Sequence, residues 1–162
     1  MAVTNSSNNS LKAKDFISRL RHDFPDFRFV PGGQENWSPG SHTITYKKDE
    51  PLHRLKCGLL HELAHAQLGH QDYKSDFELL KMESQAWELA AKLGRKYGVR
   101  ISDEHIQNCL DTYRDWLHRR STCPACGMHV LQSDAVSYHC FNCQTTWKVS
   151  SGRFVRPYRR SK

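Results

Sequence analysis

The sequence predicts an α+β fold, with about four helices and a small sheet in one domain and a short cysteine-rich module after it. Three observations predict it. Apolar residues recur at spacings of three and four along several long segments. Two short runs rich in β-branched and aromatic residues lie among Pro and Gly turn signals. Four of the six cysteines fall in the last quarter of the 162 residues, where composition and charge change together.

The elements follow in chain order. Leu11, Phe16, Ile17 and Leu20 recur at helical spacing as far as His22, and Pro25 ends that helix. Phe27 to Val30 reads as a strand, and His42 to Tyr46 as a second, with Pro31-Gly32-Gly33 and Ser38-Pro39-Gly40 as turns between them. Pro51 suits the first turn of a helix that Leu52, Leu55, Leu59, Leu60, Leu63 and Leu68 carry to about Gly69. Ser75 and Glu78 have capping-box spacing and start a third helix, which runs to about Tyr97 before Gly98. Ile106, Leu110, Tyr113 and Leu117 place one apolar stripe on a fourth helix, Asp103 to about His118.

Composition narrows the class further. At 18.8 kDa, with 38% hydrophobic and 25% charged residues, the chain suffices for one compact domain and a small satellite. Nine Gly and six Pro without a fixed period exclude fibrous and low-complexity architectures. No stretch approaches the roughly 18 apolar residues of a membrane span. The opening MAVTNSSNNS has neither a basic n-region nor an apolar h-region, so a flexible polar tail in a cytoplasmic protein is expected. Of the net charge of +7, residues 121–162 supply +5, with six Lys and Arg against one acidic residue. The expected division is therefore a tail over 1–10, a main domain over 11–120, a cysteine module over 121–150 and a basic tail over 151–162.

His61-Glu62-Leu63-Ala64-His65 matches H-E-x-x-H on the second helix, which sets two imidazoles one turn apart on one face. That arrangement suits zinc with an open position for water, and Glu62 beside it is the candidate general base. The third ligand can be chosen by angle. At about 100° per residue, Leu79, Ala86, Trp87, Ala90, Leu93 and Tyr97 all lie within about 80° of Glu83, which places this carboxylate in the middle of an apolar stripe. A carboxylate facing a core needs a partner, and zinc on His61 and His65 would supply one; pairing with Arg or Lys is the alternative. His70 is a rival ligand, but the extended pattern H-E-x-x-H-x-x-G-x-x-H requires Gly at 68 and His at 71, where this chain has Leu68 and Gln71. His53, His105 and Tyr113 are further candidates for positioning substrate, and spacing selects none of them.

With these residues in view, the segment Leu52 to Leu60 entering HELAH, followed by Glu83-Ser84-Gln85-Ala86-Trp87-Glu88-Leu89-Ala90, resembles the ImmA/IrrE family of small metallopeptidases. The resemblance covers about residues 11–117. It implies a small zincin-type metallopeptidase domain with zinc on His61, His65 and Glu83, and Glu62 as base. It also implies an intracellular protein substrate of the repressor type. Gln85 and Leu89 depart from the family's usual Glu and Phe.

Cys123-x2-Cys126 and Cys140-x2-Cys143 fit a four-thiolate structural zinc site, the mark of a zinc ribbon. A segment this short cannot build a sufficient apolar core without such a staple, and a cytosolic setting disfavours disulfides. Two zinc ions are thus expected, one catalytic and one structural. Arg153, Arg156, Arg159 and Arg160, with Phe154 and Tyr158 between them, form a candidate nucleic-acid-binding tail. The functional expectation is a zinc metalloendopeptidase acting on an intracellular protein, with ribbon and tail binding nucleic acid or a DNA-bound substrate. Two alternatives stand beside it. One is a protease similar to the SprT/Spartan class, which joins H-E-x-x-H to a zinc ribbon, acts on DNA–protein crosslinks and takes a third His downstream. The other is a zinc-stabilised DNA-binding regulator without turnover.

Overall fold

The computed structural model describes residues 3–149 and 160–161. Within them the chain forms four α-helices and two three-stranded sheets, an α+β arrangement. In order these are α1 (Val3–Asp23), β1 (Arg28–Pro31), β2 (Asn36–Ser38), β3 (Thr43–Tyr46) and α2 (Leu52–Gln67). They continue with α3 (Asp76–Tyr97), α4 (Asp103–Ser121), β4 (Ser137–His139), β5 (Thr146–Lys148) and β6 (Arg160–Ser161). None of the described helices is long and apolar enough to cross a membrane.

Two compact units share the chain. One holds the residues up to Gln71 together with Gln85–Ser102, and the other holds Asp72–Ser84 together with the residues from Asp103 on. In the first unit, β3 is the central strand, parallel to β1 and antiparallel to β2, with Ile44 opposite both Phe29 and Trp37. Ile44 is fully buried, and α2 packs on this sheet while α1 packs on α2. Leucine-rich composition explains why α2 takes the centre. From Leu55 to Ala66 every residue is buried except Lys56 and Glu62, as expected for a helix that is apolar nearly all round. Phe16, Ile17 and Leu20 bury one face of α1, and Phe16 meets Tyr97 of α3 edge to face at 6.0 Å.

Helix α1 begins at Val3, not at Leu11, so most of the segment expected to be a flexible tail is helical. Once Leu11 to His22 is held by packing, the unfavourable nucleation step has been met. Each further residue then adds a hydrogen bond against only its modest propensity penalty. Strand β2 is an addition that periodicity does not show, since three residues are too few to display alternation. At α3 the capping box is partly realised: the Glu78 amide donates to Ser75 Oγ at 3.1 Å, while the Glu78 carboxylate accepts from the Lys74 amide at 2.7 Å.

In the second unit the core joins Cys123, Tyr138, Cys140, Trp147 and Val149. Strand β5 is central there, antiparallel to β4 and to β6. The buried residues of α4 are Leu110, Trp116 and Arg120, while Ile106, Tyr113 and Leu117 of the expected stripe are only half-buried. Charge pairing shifts that face. Arg120 lies over the Trp116 ring at 4.3 Å and bonds Asp76, which turns the end of α4 inward along a line no apolar pattern marks.

Candidate metal centres

Helix α2 places His61 and His65 one turn apart, and both are 8% exposed. Their Nε2 atoms face each other at 3.1 Å. Two nitrogens sharing one tetrahedral zinc at bond lengths of 2.0–2.1 Å stand about 3.3 Å apart, so the pair is set close to ligand geometry. The indole of Trp87, on α3, stacks on the His61 ring at 4.1 Å with the planes inclined by 24°. Glu83 precedes Trp87 by one helical turn and is 6% exposed. His61, His65 and Glu83 each offer one ligand atom, and these atoms all lie within 4.8 Å of one another. Two imidazoles and a buried carboxylate form a donor set that fits zinc, as three protein ligands with room for a fourth. The buried face of α3 that carries Glu83 also carries Leu79, Ala86, Trp87, Ala90, Leu93 and Tyr97.

His70 has a different position from that of a ligand. The chain leaves α2 through Leu68 and turns at Gly69, whose φ of 65° is the left-handed conformation that favours glycine. That turn brings His70 Nδ1 to 2.8 Å from His65 Nδ1, on the side of the ring away from His61. Trp37 Nε1 in turn donates to the His70 carbonyl at 2.9 Å. Were Nε2 of His65 to hold a metal, its Nδ1–H would donate to His70, which would fix the tautomer and the ring plane. His70 and Trp37 therefore support the site from behind, a role visible only through the Gly69 turn.

Glu62 is half-buried between the two histidines in sequence, the one acidic residue in α2. A second carboxylate approaches the same helix. A Cβ added at Gly58 would run into the Glu35 carboxylate, so Glu35 rests on the α2 backbone one turn before Glu62, and burial raises its pKa. Neither motif nor spacing marks Glu35, because it comes from the loop before β2. The other candidates are engaged elsewhere: His53 Nε2 is 2.9 Å from the Arg100 carbonyl, and His105 lies beside Cys109. Cys57 is buried next to His53.

In the second unit, Cys123, Cys126, Cys140 and Cys143 bring four sulfurs within 4.8 Å. The cross-knuckle pairs are Cys123 with Cys143 at 3.6 Å and Cys126 with Cys140 at 3.5 Å. A disulfide would require about 2.05 Å, whereas sulfurs on a tetrahedral zinc stand about 3.8 Å apart. The four thiols are free, as a metal site needs. Hydrogen bonds from the Thr145 side chain and amide pull Cys143 down to about 6, which favours the thiolate. Arg160 contributes backbone to β6 opposite Lys148, while Arg153, Arg156 and Arg159 of the expected basic tail lie outside the described residues. No family model matches the chain, and comparisons with curated proteins and with solved structures found no match.

Proposed function

We propose that the chain is a zinc-dependent peptidase with a two-His, one-Glu site, a small zincin-type domain followed by a structural zinc ribbon. The observation that carries this reading is the convergence of His61, His65 and Glu83 ligand atoms within 4.8 Å, all three residues buried, with Glu62 beside them on α2. Bound there, zinc would polarise a peptide carbonyl and lower the pKa of a water molecule to about 7. The remaining chemistry belongs to the chain. Glu62 accepts the proton of the attacking water and returns it to the leaving amine nitrogen. His70 keeps the Nδ1 proton on His65, leaving Nε2 as the ligand atom. Trp87 covers one face of His61 and keeps bulk water from it.

A third ligand from a downstream histidine, as in the SprT/Spartan class, is less favoured, because His70 meets the outer nitrogen of His65. The substrate class that the charge supports is an intracellular protein bound to nucleic acid, held by the ribbon and the basic tail. The test is proteolysis of a mixture of denatured proteins, with new N-termini mapped by mass spectrometry. Zinc-loaded protein should generate new termini, and Glu62→Gln should retain zinc while slowing cleavage by about 10²–10⁴-fold. Termini that form equally with Glu62→Gln, or none with either protein, would contradict the reading.

A further inference from the structure

The cysteine module buries Cys123, Tyr138, Cys140, Trp147 and Val149 in its core, yet it leaves an aromatic ring outside. Phe141 stands between Cys140 and Cys143 and is 76% exposed. Its backbone is held on both sides. The Gln144 amide donates to the Cys140 carbonyl at 2.8 Å and the Cys140 amide donates to the Thr145 carbonyl at 2.8 Å, closing a tight turn in which Gln144 takes a left-handed φ of 63°. Gln144 Nε2 donates to the Phe141 carbonyl at 3.0 Å, and Gln144 Oε1 lies 3.1 Å from His139 Nε2. With His139 Nδ1 at 3.2 Å from Thr146 Oγ1, both nitrogens of that imidazole are engaged and its plane is set. The phenyl ring meets it edge to face, at 5.4 Å with the planes 85° apart.

Phe141 is thus a flat apolar group on a fixed backbone, with most of its surface open to solvent. Beside it, the cross-strand register pairs His139 with Thr146 and Ser137 with Lys148, so these four share one face of the sheet while Tyr138 and Trp147 stack on the other. Lys148 is exposed, and the backbone of Arg160 pairs with it from β6. Asp134 is the one acidic residue in 121–162, against six Lys and Arg, and its carboxylate accepts from the Val136 amide at 2.9 Å in the turn before β4. An open aromatic ring beside such an excess of cations suits a nucleotide, whose base stacks while its phosphate is neutralised. A base offers its face only where it is unstacked, so a single strand fits better than a duplex.

We propose that Phe141 is a stacking site for an unpaired base of single-stranded nucleic acid, with Lys148 and the basic residues that follow it neutralising the neighbouring phosphates. This rests on the reading of the ribbon and tail as the part that holds nucleic acid, and it is independent of the His61–His65–Glu83 centre. Fluorescence anisotropy of the full chain with labelled oligothymidylate, and with oligouridylate of the same length, measures the affinity and tells a DNA strand from an RNA strand. The parent should bind the preferred strand more tightly than the duplex that strand forms with its complement. Phe141→Ala should weaken single-strand binding by about tenfold with the slope of log affinity against log salt unchanged, because stacking releases no counterions. Phe141→Trp, which keeps an exposed ring, should bind at least as tightly as the parent. Lys148→Ala should instead lower the salt slope by about 0.7. Parent-like affinity in Phe141→Ala, or equal losses in Phe141→Ala and Phe141→Trp, would overturn the proposal, as would equal affinity of the parent for strand and duplex. If the parent bound neither oligonucleotide, the reading of the ribbon and tail as a nucleic-acid-binding part would fail, and the proposal with it.

Discussion

If His61, His65 and Glu83 hold zinc as proposed, replacing Glu83 removes a ligand, whereas replacing His70 removes a group bonded to one, and the two losses differ in size. Glu83→Ala leaves the two histidines alone and should empty the first centre at micromolar zinc. His70→Ala should lower zinc affinity by about 10- to 100-fold, the usual effect of losing a group bonded to a metal-binding histidine. Competition against a chromophoric chelator measures both. Full zinc retention by Glu83→Ala with loss in His70→Ala would reverse the assignment of third ligand. The difference between the two residues also marks what a sequence can reveal at this scale. His61, Glu62 and His65 lie within one helical turn, so their spacing alone brings them together, and Glu83 emerges from a wheel because a lone carboxylate on an apolar stripe is conspicuous. The positions of His70 and Glu35 depend on a left-handed turn and on a loop folding over Gly58, and no periodicity records either.

Among the elements, the four helices were legible from apolar periodicity and from Pro51, Ser75, Gly69 and Gly98 near their ends, while β2 and the first part of α1 were not. Long stripes repeat their signal several times; a three-residue strand cannot, and a helix extended from a packed segment has no apolar face to show. The far ends of α1 and α3 are joined by a contact that makes a pH prediction. The Tyr97 hydroxyl donates to Asp23 Oδ2 at 2.5 Å, and Lys96 lies 3.5 Å from the same oxygen. The Tyr97 bond, followed by that of His22, holds Asp23 down to about 2. A depressed carboxylate stabilises the fold above its unfolded pKa of about 3.9, and this contribution is lost as pH falls through about 2. Between pH 4 and 2 the urea midpoint of the parent should therefore fall more than that of Tyr97→Phe, in which the contact is already absent. Parallel curves for the two proteins would show that this bond does not contribute.

For the whole molecule, the sequence's charge asymmetry and its two C-x-x-C pairs announce a distinct cysteine module, but not how that module is held. The bonds that hold it join Asp76 to Arg120 and Tyr138, 44 and 62 residues away, and only the folded chain brings such separations together. The ribbon core consists of Cys123, Tyr138, Cys140, Trp147 and Val149, so few groups that the fold is expected to need a metal on its four cysteines. Two centres with different donors should then give two separable metals. The measurement that bears most directly on this is zinc per chain, by elemental analysis of protein purified without added metal, for the parent, for Glu83→Ala and for Cys123→Ser. The expected values are about two for the parent and about one for Glu83→Ala, the remaining zinc being on the thiolates. Cys123→Ser should lose the ribbon zinc. One zinc per parent chain, unchanged in Glu83→Ala and lost in Cys123→Ser, would contradict the catalytic centre and leave a ribbon protein in its place.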